Sequence, residues 1–162
     1  MHITEVRLKP MSPRSGDYRL LAFVSITLDD SLIIQNLKLI HCGERRFVSM
    51  PSRDVTDRCP RADCGWKNSF RAAFCGHCGS PLERTILPRD HHGRTQLYRE
   101  VVFPITTAFR KYLEQTIETA YLLATSEHHP GVVVIRVEEN GTMRIGEFKT
   151  LEDDRGAQVW GL

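Results

Sequence analysis

Hydrophobic and polar residues alternate along the first fifty positions of the chain. Residues 4–9 and 18–28 alternate with a period of two, which is typical of strands that are buried on one face. Residues 31–40 form a third segment rich in leucine and isoleucine, and its alternation slips near Gln35-Asn36, which indicates a bulge. Residues 46–50 form a fourth predicted strand. Because short turns join these segments, we predict an antiparallel β-meander.

A helical pattern follows in the second half of the chain. Thr106 or Thr107 can cap a helix that runs to about Thr125. Its apolar residues recur at steps of three and four, so they share one face: Phe109, Leu113, Ile117, Ala120 and Ala124. We expect this face to pack against the sheet.

Two more segments complete the predicted fold. Residues 98–103 have the pattern of a strand that Pro104 ends. Residues 132–137 and 143–148 are apolar and flank Asn140-Gly141, which is a strong hairpin signal. The predicted fold class is α+β, with an antiparallel β-meander packed against one C-terminal helix and a C-terminal β-hairpin.

Four of the five cysteines lie in two pairs within 20 residues: Cys59, Cys64, Cys75 and Cys78. A close cysteine pair next to glycine favours a knuckle, a tight turn that directs both sulfurs to one point. Two knuckles supply the four soft ligands that tetrahedral Zn²⁺ prefers. Four sulfurs leave no position for water or substrate, so we predict a structural zinc ion in a small zinc-ribbon insertion.

Alternatives to this zinc site stay open from the residues alone. The four cysteines could form two disulfides in an oxidised protein. Cys75 and Cys78 could instead act as a redox pair, although no βαβ pattern surrounds them. His77 could replace one sulfur as a ligand. The fifth cysteine, Cys42, is predicted to be a core or strand-end residue.

Bulk composition is typical of a soluble globular protein, with 41% hydrophobic residues among 162. No apolar run approaches the roughly 18 residues that span a bilayer. The first residues lack the basic start and apolar core of a signal peptide. With the cysteines assigned to a metal, these features predict a cytoplasmic protein that has no membrane partner.

The net charge of +2 hides an uneven distribution of charged residues. Residues 41–111 carry 13 Lys and Arg against 7 Asp and Glu, whereas residues 112–162 carry 4 against 9. A basic middle segment joined to an acidic C-terminal segment favours an anionic partner for the middle. The alternative interpretation is a mixed surface that is only solvated.

Four segments occur in the order of a known family. Residues 1–7 match its start, residues 24–30 its second strand and turn, and residues 98–105 with the following helix its end. Residues 47–53, Phe-Val-Ser-Met-Pro-Ser-Arg, match its most distinctive motif. Together these segments resemble the family of the bacterial septation regulator SpoVG, stage V sporulation protein G.

The resemblance divides the chain into three parts. Residues 1–53 and 84–127 are assigned to a SpoVG-like α+β domain. Residues 54–83 are an inserted zinc-ribbon-like module where the family has a short loop, and residues 128–162 are a C-terminal β-hairpin extension. The resemblance implies a homodimer formed through sheet edges, which also fits the unpaired edges of a meander. It further implies DNA and RNA binding of low sequence specificity, with effects on division and gene expression.

Two basic residues are carried over from the family. Its members have basic residues just after the Met-Pro-Ser turn and one in the following strand, and both are linked to nucleic-acid binding. Arg53 matches the first position and Arg99 the strand position, whereas a further position that is usually basic is Asp54 here. The inserted module adds basic residues interleaved with Trp66 and Phe70, a mixture that suits single strands: Arg58, Arg61, Lys67 and Arg71.

These observations predict a nucleic-acid-binding regulator of septation, sporulation or gene expression whose zinc module extends the basic surface. The alternative is a protein-interaction module that docks through the zinc module or the acidic hairpin and binds no nucleic acid. An enzyme is not expected, since no Ser/His/Asp or Cys/His constellation is apparent. Trp66 with Phe70 or Phe74 is predicted to cover the small apolar interior of the module.

Overall fold

The computed structural model of the chain describes residues 1–11, 19–82, 89, 93–126 and 131–146. Tyr18 and residues 147–148, which belong to predicted strands, lie outside these described residues. The chain divides into two compact units, one comprising Met1–Pro51 with Phe103–Leu162 and the other Ser52–Val102. The domain boundaries predicted from the family resemblance differ from this division and stay a prediction.

The described residues form strands β1 (Ile3–Pro10), β2 (Leu20–Leu28), β3 (Leu32–Cys42), β4 (Arg45–Ser49), β5 (Ser52–Asp54), β6 (Thr56–Arg58), β7 (Lys67–Ser69), β8 (Tyr98–Glu100), β9 (Val133–Val137) and β10 (Met143–Ile145), and helix α1 (Thr107–Ser126). In the described ranges, no helix is both long and apolar enough to cross a membrane.

The first unit contains a six-stranded antiparallel sheet in the order β10-β9-β1-β2-β3-β4. Its core consists of the alternating apolar residues of the strands and the buried stripe of α1. Leu113, Ile117, Ala120 and Ala124 are buried as predicted, and Phe109 is partly buried. The predicted α+β class, a meander packed against one helix, is therefore confirmed.

Local signals also place the turn, the bulge and the helix cap where the sequence predicts them. Asp29 and Asp30 both have positive φ angles, 47° and 49°, and Ser31 N donates to Leu28 O at 2.9 Å, which defines a type I′ hairpin turn. Asn36 has a φ of 64° at the register shift between β2 and β3. Thr106 is the helix cap, since its Oγ1 accepts a hydrogen bond from Phe109 N at 3.2 Å.

The C-terminal hairpin forms part of the main sheet. β9 pairs with β1, with Glu5 opposite Arg136, and β10 pairs with β9. The turn is type I followed by a left-handed glycine: Gly141 has a φ of 84° and its N donates to Glu138 O at 2.8 Å. The Asn140-Gly141 signal predicts this hairpin correctly, but nothing in the local sequence indicates that β1 is its partner.

The Ser52–Val102 unit contains two short antiparallel ladders. β5 pairs with β8, and β6 pairs with β7. The strand predicted for residues 98–103 ends at Glu100, and its partner is β5. Among the described residues of this unit, only Cys59, Asn68 and Cys75 are buried.

Candidate functional site

Two cysteine turns lie in the Ser52–Val102 unit. In the first, Cys64 N donates to Arg61 O at 3.0 Å, and Gly65 follows with a φ of 57°. In the second, Gly79 N donates to Cys75 O at 3.0 Å, and Gly79 has a φ of 71°. A left-handed residue after each second cysteine turns the chain back, and glycine adopts that conformation without steric cost. The glycines of the sequence motif therefore close both knuckles.

The four sulfurs form one cluster. The Sγ atoms of Cys59 and Cys78 are 3.7 Å apart, as are those of Cys64 and Cys75, and all four lie within 4.8 Å of one another. With Zn–S bonds of about 2.3 Å, a regular tetrahedron of sulfurs has edges of about 3.8 Å. Each close pair joins one cysteine from either knuckle, so the cluster could hold a tetrahedral metal ion.

The predicted alternatives for these cysteines fit the geometry less well. All four are free thiols, and 3.7 Å is far longer than a disulfide bond of about 2.05 Å. His77 is exposed and places Nδ1 at 3.6 Å from Cys64 Sγ, outside the set of four clustered ligands. The sulfurs are therefore spaced as ligands of one metal ion rather than as two disulfides.

Hydrogen-bond donors surround the second knuckle. Backbone N–H groups of Cys78 and His77, together with the side-chain amide of Asn68, lower the pKa of Cys75 to about 6 against the opposing effect of burial. The hydroxyl and the N–H of Ser80 lower the pKa of Cys78. Thiolates are the form that binds metal, so these donors favour the ligating state.

In the first knuckle the pKa values of both cysteines are raised instead of lowered. The N–H of Trp66 lowers the pKa of Cys64, but burial and the neighbouring sulfurs outweigh it and raise that pKa to about 12. At Cys59 the N–H of Arg61 acts in the same direction, and burial with the neighbouring sulfurs again raises the pKa. Four thiolates at this spacing repel one another, and a cation among them would remove that repulsion.

Asn68 is the functional residue that sequence analysis missed. It is 7% exposed, its Nδ2 donates to Trp66 O at 2.9 Å and lies 3.6 Å from Cys75 Sγ, and its Oδ1 accepts from Gly76 N at 3.0 Å. Asn68 thus joins β7 to the second knuckle. Nothing in the local sequence distinguishes this asparagine from an exposed one.

The aromatic residues of the module lie elsewhere than predicted. Trp66 is 54% exposed and Phe74 is 64% exposed, so the prediction that these two rings cover an apolar interior is wrong, whereas Phe70, the other predicted residue, is half-buried. Trp66 instead stacks on His77, with ring centroids 5.3 Å apart and planes 20° from parallel. The sulfur cluster occupies the interior, which leaves these rings at the surface.

Three of the predicted basic residues line one groove of the same unit. Arg53, Lys67 and Arg99 form its basic part, and Asp54, Val55 and Thr56 complete it. We call this feature the basic groove. Arg53 and Arg99 are direct cross-strand partners on β5 and β8, and both are exposed. The Asp54 carboxylate brings one negative charge into the groove.

A second basic pair repeats this arrangement. Arg58 on β6 lies directly opposite Lys67 on β7, and both are exposed. Like charges directly opposite each other in an antiparallel ladder are destabilising. The unit therefore contains two unfavourable cation pairs, Arg53 with Arg99 and Arg58 with Lys67, in two ladders of three residues each.

The other two predicted basic residues have partners within the unit. Arg61 forms a two-point ion pair with Asp63, with N–O distances of 3.0 and 2.6 Å. The guanidinium of Arg71 lies 5.5 Å from the ring centroid of Tyr98, within cation–π range. Arg61 is therefore already neutralised, whereas Arg71 and the half-exposed Tyr98 present a stacked cation and ring.

Comparison with known proteins identifies relatives over most of the chain. The SpoVG family matches residues 1–122. A SpoVG protein of Borreliella burgdorferi strain ZS7, named as a septation protein, is 25% identical over 122 residues, which cover 75% of this chain and 87% of that protein. The residues matched by the family include the cysteine module and the first part of α1.

Shorter matches reach higher identity. A protein of Anaeromyxobacter strain Fw109-5 with the same name is 42% identical over 57 residues, 35% of this chain and 55% of its own length. One from Fusobacterium nucleatum subsp. nucleatum is 45% identical over 55 residues, 34% of this chain and 58% of its own length.

Proposed function

The chain belongs to the SpoVG family, and from this premise we propose that it is a nucleic-acid-binding regulator whose Ser52–Val102 unit is held by one structural Zn²⁺. The proposed ligands are Cys59, Cys64, Cys75 and Cys78. The proposed nucleic-acid contacts are Arg53, Arg99, Arg58 and Lys67, with Arg71 beside Tyr98 and a lesser part for Arg61.

The observation that carries the proposal is the pair of like-charge cross-strand contacts. Each of the two ladders places two cations directly opposite each other, Arg53 with Arg99 and Arg58 with Lys67. This arrangement costs stability in the free protein and is relieved by an anion that lies between the cations. Arginine donors arranged along a groove suit phosphate oxygens, which position a nucleic acid without reading its sequence.

Zinc is the metal that best suits the donor set. Four clustered sulfurs at tetrahedral spacing are typical of structural zinc, and such a site leaves no position for a substrate. In this proposal the ion performs no chemistry. A reducing cytoplasm, where thiols stay available to metal, is the matching compartment.

Regulation of septation or gene expression is the biological role we propose. The relatives from Borreliella burgdorferi and Anaeromyxobacter are named as septation proteins. We also propose a homodimer formed through the sheet edges, since β4 and β10 are the outer strands of the six-stranded sheet. Light scattering at micromolar concentration tests the dimer, and a monomeric mass would contradict it.

Binding to a DNA duplex across a salt series tests the basic groove. Arg53→Ala/Arg99→Ala should weaken binding similarly for every sequence and lower the slope of log affinity against log salt by about two. Arg58→Ala/Lys67→Ala should act in the same way. Arg61→Ala should change the slope least, because Asp63 already neutralises Arg61.

Lys111→Ala provides the matched control, since Lys111 is an exposed cation on α1. An equal loss per charge removed in Lys111→Ala would show that only net charge matters and would contradict the groove. A protein that binds no nucleic acid even at low salt would overturn the proposal and leave the protein-interaction module as the function.

A further inference from the structure

The sheet face opposite α1 presents basic side chains and an aromatic ring in a regular arrangement, and the proposed function does not involve this face. Phe23 lies between Ala22 and Val24, and Lys38 lies between Leu37 and Leu39, all four of which are buried in the core. Successive side chains of a strand point to opposite faces, so Phe23 and Lys38 lie on the face away from α1. We call this surface the open face, and it includes Arg7, Lys9, Phe23, Lys38, Arg136 and Arg144.

A cation, an aromatic ring and a second cation form one row across the open face. Lys9 on β1 pairs with Phe23 on β2, and Phe23 pairs with Lys38 on β3. Direct partners in an antiparallel sheet bring their Cβ atoms to about 5 Å, so each lysine stem is within reach of the ring. Both lysines are exposed and Phe23 is half-buried.

Arginines on the neighbouring strands continue the positive charge. Arg144 on β10 lies directly opposite Arg136 on β9, a third like-charge pair, and Arg7 on β1 is diagonal to Arg136. The side chains of Arg136 and Arg144 are 64% and 73% exposed. This part of the sheet therefore presents several cations to solvent.

Acidic groups offset only part of this charge. Glu5 is 7% exposed at its side chain and accepts from Arg7 Nε at 2.6 Å, while its other oxygen lies 3.4 Å from Arg136 Nε. Glu138 pairs with Arg144 at 3.0 Å. β2 and β3 contain no carboxylate and add none to the face. Arg136 also shares a pocket with Asp29, Asp30, Glu138 and Glu139. The positive charge of the open face is therefore least offset in the row of Lys9, Phe23 and Lys38, where the ring lies between two cations.

We propose that the open face is a second binding site, for single-stranded nucleic acid, separate from the basic groove. Lys9, Lys38 and the arginines would contact phosphates, and one unpaired base would stack on Phe23. A duplex keeps its bases stacked inside, so it could use the cations but not the ring. The row of Lys9, Phe23 and Lys38 therefore selects single strands over duplexes.

Fluorescence anisotropy of the zinc-loaded full chain with oligothymidine of about 12 nucleotides tests this site. Lys9→Glu/Lys38→Glu should weaken binding by at least about tenfold, and Phe23→Leu, which keeps an apolar side chain, by about fivefold. Phe23→Leu should leave binding to the matching duplex unchanged. Lys111→Glu on α1 is the control for charge reversal, and urea unfolding shows whether each variant is folded.

Ultraviolet crosslinking of the unaltered protein to oligothymidine provides a readout that needs no variant. The crosslinked peptide should contain Phe23. Crosslinks confined to residues 52–102, or single-strand affinity unchanged in both open-face variants, would overturn the proposal. Equal losses in Phe23→Leu for single strand and duplex would also overturn it, because stacking would then play no part.

The groove variant Arg53→Ala/Arg99→Ala separates this inference from the proposed function. If only the open-face variants lose single-strand binding, the open face stands, and the basic groove is wrong only if the groove variant also keeps its full affinity for the duplex. If only the groove variant loses binding, the groove stands and the open face is wrong. A chain that binds neither probe overturns both.

Discussion

The two units of this protein are held together by different means. The sheet unit buries apolar side chains from β1, β2, β3, β4, β9 and α1 in one contiguous core. In Ser52–Val102, the buried described residues are two cysteines and one asparagine, and the large rings of Trp66 and Phe74 are exposed. The first unit is thus stabilised by the hydrophobic effect, whereas the described residues of the second form almost no apolar core.

This contrast supports the proposed role of the four cysteines as metal ligands. A segment of about 30 residues cannot bury enough apolar surface to offset its conformational entropy, and a metal ion is a common substitute for the missing core. Aromatic rings that would otherwise be buried in a core, such as Trp66 and Phe74, stay exposed and available for contacts with a ligand. The second unit can therefore combine exposed rings with opposed cations, a combination that an ordinary small core would not tolerate.

Metal removal should produce the largest difference in stability between the two units. If the cluster holds zinc as proposed, chelation should unfold residues 56–82, because four metal–sulfur bonds would be lost from a segment that buries few apolar side chains, while the sheet stays folded. NMR would show collapsed amide signals for these residues beside unchanged dispersed signals from the strands. Cys75→Ser should abolish zinc binding, measured as metal per chain.

Cys42→Ser is the matched control for that experiment. Cys42 is exposed at the end of β3, so its replacement should leave one zinc per chain. A module that keeps its dispersed signals after chelation would show that the ion is not what orders it.

A cavity in the core of the sheet unit should destabilise that unit and leave the zinc module unaffected. Leu113 is 1% exposed on α1, and Leu113→Ala should lower the free energy of unfolding of the sheet unit by about 2–5 kcal/mol. Zinc content should not change. Leu122→Ala on the same helix removes a side chain that is 49% exposed and should cost far less. Urea denaturation measures both, and a loss of zinc in Leu113→Ala would contradict the independence of the two units.

The smallest effect is expected at Asn68, which supports the cluster without being a ligand. Asn68→Ala removes its hydrogen bonds to Trp66 O and Gly76 N, and should weaken zinc affinity by about 10- to 100-fold. Competition with a chromophoric chelator measures the affinity. Asn140→Ala, at an exposed turn of the sheet unit, is the control. Unchanged affinity in Asn68→Ala would mean that the knuckles position the sulfurs alone.

Much of the fold follows from local sequence patterns. The alternation of β1 and β2, the stripe of α1, the Asp29-Asp30 turn and the slip at Asn36 all act through neighbouring residues. The two knuckles are local in the same sense, because each cysteine pair and its glycine define one turn. Sequence analysis therefore located the sulfur cluster and its four members.

Pairings between distant segments were decided only by the tertiary structure. The placement of β9 beside β1, the opposition of Arg53 to Arg99, and the row of Lys9, Phe23 and Lys38 each depend on the register of separate strands. Register is selected by the total burial and hydrogen bonding of the sheet, and no single segment contains that information. The role of Asn68 could not be predicted for the same reason, because its hydrogen-bond partners become neighbours only when both knuckles meet at one point. The sequence alone thus determines the elements and the four clustered cysteines of this protein, whereas the surfaces formed between those elements arise only in the folded chain.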